Sequence, residues 1–177
     1  MFRINIYLDI YTFFLGLFSN KDKKQISKFI AKELTFQSQK KYLVFASQCR
    51  VGFLFILKYL KLRSKKKEII FSSYNLPEMV NVAVKLNFKI IFCDIDYNTG
   101  TINKKELNKK ITKNTSAIVL TNMFNNYHIG QEIKKLASNK KITLIEDNAI
   151  YFDNFTKKKN KKIYAGFLGD FSIYSFN

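Results

Sequence analysis

Two adjacent acids, Glu146 and Asp147, close the apolar run Ile142-Thr-Leu-Ile145. A carboxylate at the end of a buried segment loses solvation in its ionised form, so it needs a cation or several hydrogen-bond donors beside it. Such a pair either faces a ligand or caps a loop, and both readings are open on these residues alone. Asp94-Ile-Asp96-Tyr-Asn98-Thr-Gly100 spaces its acids like the start of a calcium loop, but the glycine arrives one residue late. Lys105 also stands at the twelfth position, where that loop requires a bidentate carboxylate. The segment is instead expected to end a strand and cap a turn, with Thr101-Ile-Asn103 leading into a helix. His128 is the only histidine, and without a carboxylate, serine or cysteine in a recognisable arrangement it is expected in a loop. Cys49 and Cys93 lack metal-ligand spacing. They are expected to be free thiols in a reducing, cytoplasmic setting, so no metal site is expected.

Elements that could position these residues follow from hydrophobic period. Lys41 to Ala46, Glu68 to Ser72, Lys89 to Cys93, Ser116 to Thr121 and Ile142 to Glu146 are short apolar, β-branched runs and are expected to be buried strands. Between them, apolar residues recur three and four apart. Val51, Leu54, Phe55 and Leu57 mark one helix; Met79, Val80, Ala83, Val84 and Leu86 mark a second; Ile129, Ile133, Leu136 and Ala137 mark a third, with a stop at Ser138-Asn139-Lys140. Strand and helix in alternation predict an α/β fold, a mostly parallel sheet sandwiched by helices with right-handed crossovers. In such a sheet ligands sit at the carboxyl ends of the strands, where Glu146 and Asp147 stand.

The chain has 177 residues, of which 47% are hydrophobic and only one is Pro, so disorder and collagen-like structure are excluded. That length suits one domain, or part of one, burying roughly 70% of its unfolded surface. A net charge of +18 would ordinarily suggest a nucleic-acid or membrane partner. The basic residues, however, are almost all Lys, with Arg3, Arg50 and Arg63 the only arginines. Lysine in excess alongside Asn, Ile, Phe and Tyr reflects AT-rich coding better than selection for phosphate forks, so no specific nucleic-acid partner is expected. Lys61 to Lys67, Lys104 to Lys113 and Lys157 to Lys162 are expected in solvated turns and exposed helix faces. The apolar stretch Ile4 to Phe18 carries Asp9 and falls short of the ~20 residues of a bilayer span, so it is expected to dock on the protein or a subunit partner.

Four segments, in order, resemble the sugar aminotransferases of the DegT/DnrJ/EryC1/StrS family. Asp94-Ile-Asp96 with Thr99-Gly-Thr-Ile-Asn103 resembles its "DID…T..I" segment, and Asn114-Thr-Ser-Ala-Ile-Val119 its "KTKAII" strand. Ile145-Glu-Asp-Asn-Ala149 is similar to "IEDAA", and Gly166-Phe-Leu-Gly-Asp-Phe-Ser-Ile-Tyr-Ser-Phe176 to "GSLGDxxxFSF". The resemblance covers about residues 39 to 177. It implies the incomplete large domain of a fold-type-I pyridoxal-phosphate-dependent transferase over 39–177, preceded by an N-terminal segment and helix over 1–38. It also implies pyridoxal 5'-phosphate as cofactor, a nucleotide-linked keto-sugar and an amino-acid donor such as glutamate as substrates, and a homodimer. The pathway implied is cell-surface polysaccharide or related glycan synthesis.

The resemblance assigns roles by position. Asp147 matches the acid that pairs with the cofactor's pyridine nitrogen, keeping it protonated so that the ring accepts electrons. Ser175 matches the serine that contacts the cofactor phosphate. Cys49 and Arg50 lie where the family has "SSGT", a strand-to-helix turn whose amides receive phosphate. Leu76 stands where an aromatic usually stacks on the ring. Cys49 replaces a glycine, Ile150 a Gln or His, and Asn125 a loop glycine. The Schiff-base lysine follows the "SF" motif in the family, and none of this chain's lysines aligns with it. The 177 residues are therefore expected to be an N-terminal fragment, inactive in transamination by themselves and prone to aggregate. Two alternatives remain: a sugar dehydratase of the same family, with histidine in the lysine's place, and a non-catalytic truncated paralogue retained for dimerisation or binding.

Overall fold

The computed structural model describes residues 23–123, 127–150, 154–158 and 161–175. The chain forms two compact units, Met1–Glu33 and Leu34–Asn177. Helix α1 (Lys23–Ser38) opens in the first unit, and its last turn, with buried Leu34 and Ser38, belongs to the second. The Ile4 to Phe18 stretch and Asn125 lie outside the described residues.

In the second unit, helix α2 (Cys49–Arg63) precedes strand β1 (Glu68–Ser72), helix α3 (Pro77–Lys85) and strand β2 (Lys89–Cys93). Helix α4 (Lys104–Lys110), strand β3 (Thr115–Thr121), helix α5 (Tyr127–Asn139) and strand β4 (Thr143–Asn148) follow. A short antiparallel hairpin, β5 (Asn154–Lys158) and β6 (Lys161–Tyr164), leads to β7 (Phe171–Tyr174). Five strands make one parallel sheet in the order β2-β1-β3-β4-β7. The expected α/β architecture is thus present, and four of the five expected strands stand within two residues of their expected bounds.

Period-two alternation explains why the sheet is covered on both sides. Ile70, Ile118, Leu120 and Leu144 turn to one face, packing with Leu107 of α4 and Ile133 and Ala137 of α5. Ile69, Phe71, Ala117, Val119 and Ile145 turn to the other, against Phe53, Leu57 and Leu60 of α2 and Met79 and Ala83 of α3. Each fully buried Ile or Leu contributes about 1.5–3 kcal/mol through water exclusion, so central β1, β3 and β4 dominate the stability. At its buried start, Glu68 accepts from Lys89 Nζ at 3.1 Å and Thr112 Oγ1 at 2.5 Å. The Thr112 hydroxyl first, and Lys89 after it, hold its carboxyl below the usual range.

Caps end the helices where sequence chemistry demands. Asn103 Oδ1 accepts from the amides of Lys105 and Glu106 at 3.0 and 3.1 Å and starts α4. Pro77 occupies the first turn of α3, where its missing N–H costs nothing. Asp96 Oδ1 accepts from the amides of Asn98 and Thr99, so the Asp94–Gly100 segment is the turn expected of it.

Three expectations need correction. Lys41 to Ala46 forms no strand, and Tyr42 and Val44 are left 76% and 75% exposed. A strand exists only through a neighbour's backbone hydrogen bonds, and none of the five sheet strands pairs with this segment. His128 lies in the first turn of α5 rather than in a loop. Lys89 to Cys93 is a strand but not a buried one, for it forms the edge of the sheet with Lys89 and Phe92 exposed. The Lys104 to Lys113 run, by contrast, is as expected, with Lys104, Lys105 and Lys109 on the exposed face of α4.

Candidate functional site

Alternation along β4 separates the two acids that are adjacent in sequence. Asp147 follows Ile145 on the face covered by α2, whereas Glu146 turns to the opposite face with Leu144. Asp147 is 4% exposed, and burial pushes its carboxyl above the usual range. Among the described residues its hydrogen-bond donor is the amide of Ala149, 3.1 Å from Oδ1. No described cation forms an ion pair with it. An acid with four acceptor positions and one donor is chemically incomplete, and a positively charged N–H would complete it.

Cys49 opens α2 close enough to Asp147 for that charge to act on its thiol. Burial chiefly, and Asp147 after it, push the Cys49 thiol up to about 11, so it is a poor nucleophile at neutral pH. Gln48 caps α2 without a side-chain hydrogen bond to the helix, and its carbonyl receives the amides of Val51 and Gly52. The first amides of the helix therefore lie on the side of the sheet that Asp147 faces, available to an anion. Arg50 is exposed and its guanidinium turns back to Gln48 Oε1 at 2.6 Å.

Leu76 is the half-exposed cap residue of α3, at the carboxyl end of β1. Asn75 holds that turn, accepting the Leu76 amide through Oδ1 and donating to Thr121 Oγ1, each at 2.8 Å. Ser175 is half-buried immediately after β7. Since Asp147 pairs in register with Ile173, Ser175 comes two residues further along the Asp147 side of that strand. The structure thus brings Asp147, Cys49 and Ser175 to one side of the sheet at the carboxyl ends of β4 and β7. Leu76 lies two strands from Asp147, roughly 10 Å across the sheet.

Of a polar cluster on the opposite face, only Glu146 was singled out by residue type. Glu146 is completely buried and accepts from the amides of Gly169 and Gly166 at 2.5 and 3.3 Å, and from Asn122 Nδ2 at 3.1 Å. Burial is the largest influence and raises its carboxyl above the usual range, against those donors. Asn122 also donates to Asn148 Oδ1 at 2.6 Å, while Asn148 Nδ2 is buried with no partner among the described residues. The Ile-Glu-Asp order was the available signal, because strand period alone sends neighbouring acids to opposite faces. Among the described residues no group of three or more His, Cys, Asp and Glu could hold a metal, and no helix is long and apolar enough to cross a membrane.

Known proteins share this fold. GDP-perosamine synthase of Escherichia coli O157:H7 is 33% identical over 86 residues, which are 49% of this chain and 22% of that protein. GDP-4-keto-6-deoxymannose-3-dehydratase with bound GDP-perosamine superposes with a TM-score of 0.71 at 26% identity, over 83% of this chain and 38% of that one. The same dehydratase with a trapped PLP-glutamate geminal diamine gives 0.65 at 27% identity, over 76% and 36%. The chain thus spans between about a fifth and two-fifths of the length of these relatives. Their sheet is the one built here, and pyridoxal phosphate is the cofactor seen among them. The profile of the DegT/DnrJ/EryC1/StrS aminotransferase family matches residues 20–177, and the chain belongs to that family.

Proposed function

We propose that the chain is the cofactor-binding part of a pyridoxal-phosphate-dependent enzyme that transfers an amino group to a nucleotide-linked keto-sugar for glycan assembly. One observation carries the reading: Asp147 is a buried acid at a strand's carboxyl end, with one backbone donor and no paired cation among the described residues. A protonated pyridine nitrogen supplies what that acid lacks. When bound, the cofactor supplies an electron sink for the bond broken beside the amine.

The residues present fit that group. Asp147 would hold the proton at the ring nitrogen, and its buried setting strengthens the pairing because little water competes. The first amides of α2 would receive the phosphate with the helix dipole behind them, and the Ser175 hydroxyl would add a donor. Leu76 would pack on the ring as an apolar surface, without the stacking an aromatic gives. Cys49 would contribute shape rather than chemistry, as its thiol stays protonated. Glutamate as amino donor, and a second copy completing the site, belong to the same proposal and rest on family membership.

Titration with pyridoxal phosphate, followed by cofactor absorbance, tests the reading. Saturable binding is expected, weakened about tenfold or more by Asp147→Asn, since one charge-assisted hydrogen bond is worth about 1.5–3 kcal/mol. No saturable uptake, or equal affinity in the variant, would overturn it. The dehydratase relatives favour a second reading, loss of oxygen from the keto-sugar rather than gain of an amine. Mass spectrometry of products from the full-length protein with glutamate and a GDP-linked 4-keto-6-deoxy sugar separates them: an amino sugar supports transfer, and a deoxygenated keto-sugar supports dehydration.

A further inference from the structure

Two oppositely charged side chains grip the loop that precedes β7. Glu146 takes the amides of Gly166 and Gly169, at 3.3 and 2.5 Å. Lys40 donates from Nζ to the carbonyls of Phe167 and Gly169, at 3.3 and 2.5 Å. Both polar groups of Gly169 are therefore held by charges of the sign each requires. The fit leaves no room for a side chain there. A Cβ at Gly169 would overlap the carbonyl oxygen of Phe171 and come within 3.1 Å of the Glu146 backbone and Cγ. Gly166, at φ +92°, would bring its Cβ onto the Tyr174 hydroxyl.

The grip lies where the pairing of β7 begins. Asp170 donates its amide to Leu144 at 2.7 Å, and from there Phe171 pairs with Ile145 and Ile173 with Asp147. A one-residue slip at this point would turn every later side chain of β7 to the other face. Ser175 would leave the Asp147 side.

We infer that Lys40 and Glu146 are positioning residues for the phosphate end of the cofactor site: they touch no cofactor themselves, but set the register of β7 and so the side on which Ser175 emerges. This inference rests on the reading of the site as a pyridoxal-phosphate site. Charges taken out of water are weak support for stability, because desolvation offsets attraction. Register is what this pair supplies, through four hydrogen bonds to one loop.

The test compares pyridoxal phosphate with pyridoxal, which lacks the phosphate, on the wild-type protein, Lys40→Met, Glu146→Gln and the conservative Lys40→Arg. Backbone hydrogen exchange is measured at 68–72 and 171–175 in each. Lys40→Met and Glu146→Gln are expected to lose about tenfold in affinity for pyridoxal phosphate, the scale of one hydrogen bond to a charged group, with pyridoxal within twofold of wild type. Exchange protection should fall in 171–175 and persist in 68–72. Lys40→Arg should recover most of both signals. Equal losses for the two ligands, unchanged affinity, or protection lost equally in β1 and β7 would overturn the inference. Wild-type protein that does not distinguish the two ligands would remove the cofactor-positioning role. Selective loss of β7 protection in Lys40→Met and Glu146→Gln would then show that the clamp stands and the cofactor reading has failed.

Discussion

Replacing Asp147 by Asn should stabilise the free protein while weakening its cofactor site. The substitution preserves shape and keeps Oδ1 as acceptor for the Ala149 amide. It removes a charge that burial disfavours, with one backbone donor to offset it. The ordinary value for this acid is 3.8, and burial raises it in the fold. Below that pH both folded and unfolded chains hold the proton, and the variant should match wild type. As pH rises, the unfolded chain ionises first and wild-type stability falls until the folded carboxyl also ionises. At pH 7 the variant is therefore the more stable. A buried polar group lacking its partners costs about 1–3 kcal/mol, which for a domain of this size is roughly 3–10 °C in Tm. Pyridoxal phosphate should narrow the gap, because at a hundred times the wild-type Kd it adds about 2.7 kcal/mol to the wild type but only about 1.4 kcal/mol to a variant that binds tenfold more weakly. Differential scanning calorimetry at pH 7 and pH 3, with and without cofactor, measures all four states. A variant no more stable at pH 7, or stabilised equally at pH 3, would refute the reasoning.

Other perturbations read other links of the same chain. Gly169→Ala drives a Cβ into the Phe171 carbonyl and the Glu146 backbone, so a loss of about 1–3 kcal/mol is expected in urea melts. Ile145→Ala, in the fully buried centre of β4, should cost about 2–5 kcal/mol, with cooperative unfolding retained if the sheet is one unit. Glu68→Gln should lower Tm at neutral pH, because a carboxyl held below 4.5 stabilises the fold above that pH. The difference should vanish as acid protonates Glu68 in the fold, and a pH series of thermal melts checks it. Iodoacetamide should label both thiols slowly at pH 8, since burial pushes Cys49 to about 11 and Cys93 to about 12. Half-buried Cys49 should react first as pH rises, and pyridoxal phosphate should protect it but not Cys93.

What could be read from the sequence was whatever a short segment decides for itself. Glu68–Ser72, buried throughout, and Lys89–Cys93, a partly exposed edge strand, are both observed with the bounds their apolar runs imply, because a short apolar, β-branched run signals a strand by itself. Lys41 to Ala46 carries the same kind of run and makes no strand, since pairing depends on a neighbour that no local pattern reveals. β7 lies at the other extreme. Phe171–Tyr174 is four residues long with a polar Ser172, too short for period to speak, yet it pairs with β4 along its whole length. Site residues divide in the same way. Asp147 could be found because it ends an apolar run, and family resemblance gave it a role that its burial and missing partner fit. Lys40 could not be found, for its work is done on carbonyls 127 and 129 residues away and its own neighbourhood is an ordinary lysine pair. Glu146 was half visible: the Glu-Asp pair drew notice, and two-residue alternation already implied opposite faces, but only the fold shows which face holds the glycine loop. The acid that meets the cofactor in the proposed reading and the acid that sets the strand beside it are thus products of one alternation, and a substitution that slipped β4 by one residue would exchange their roles and abolish both.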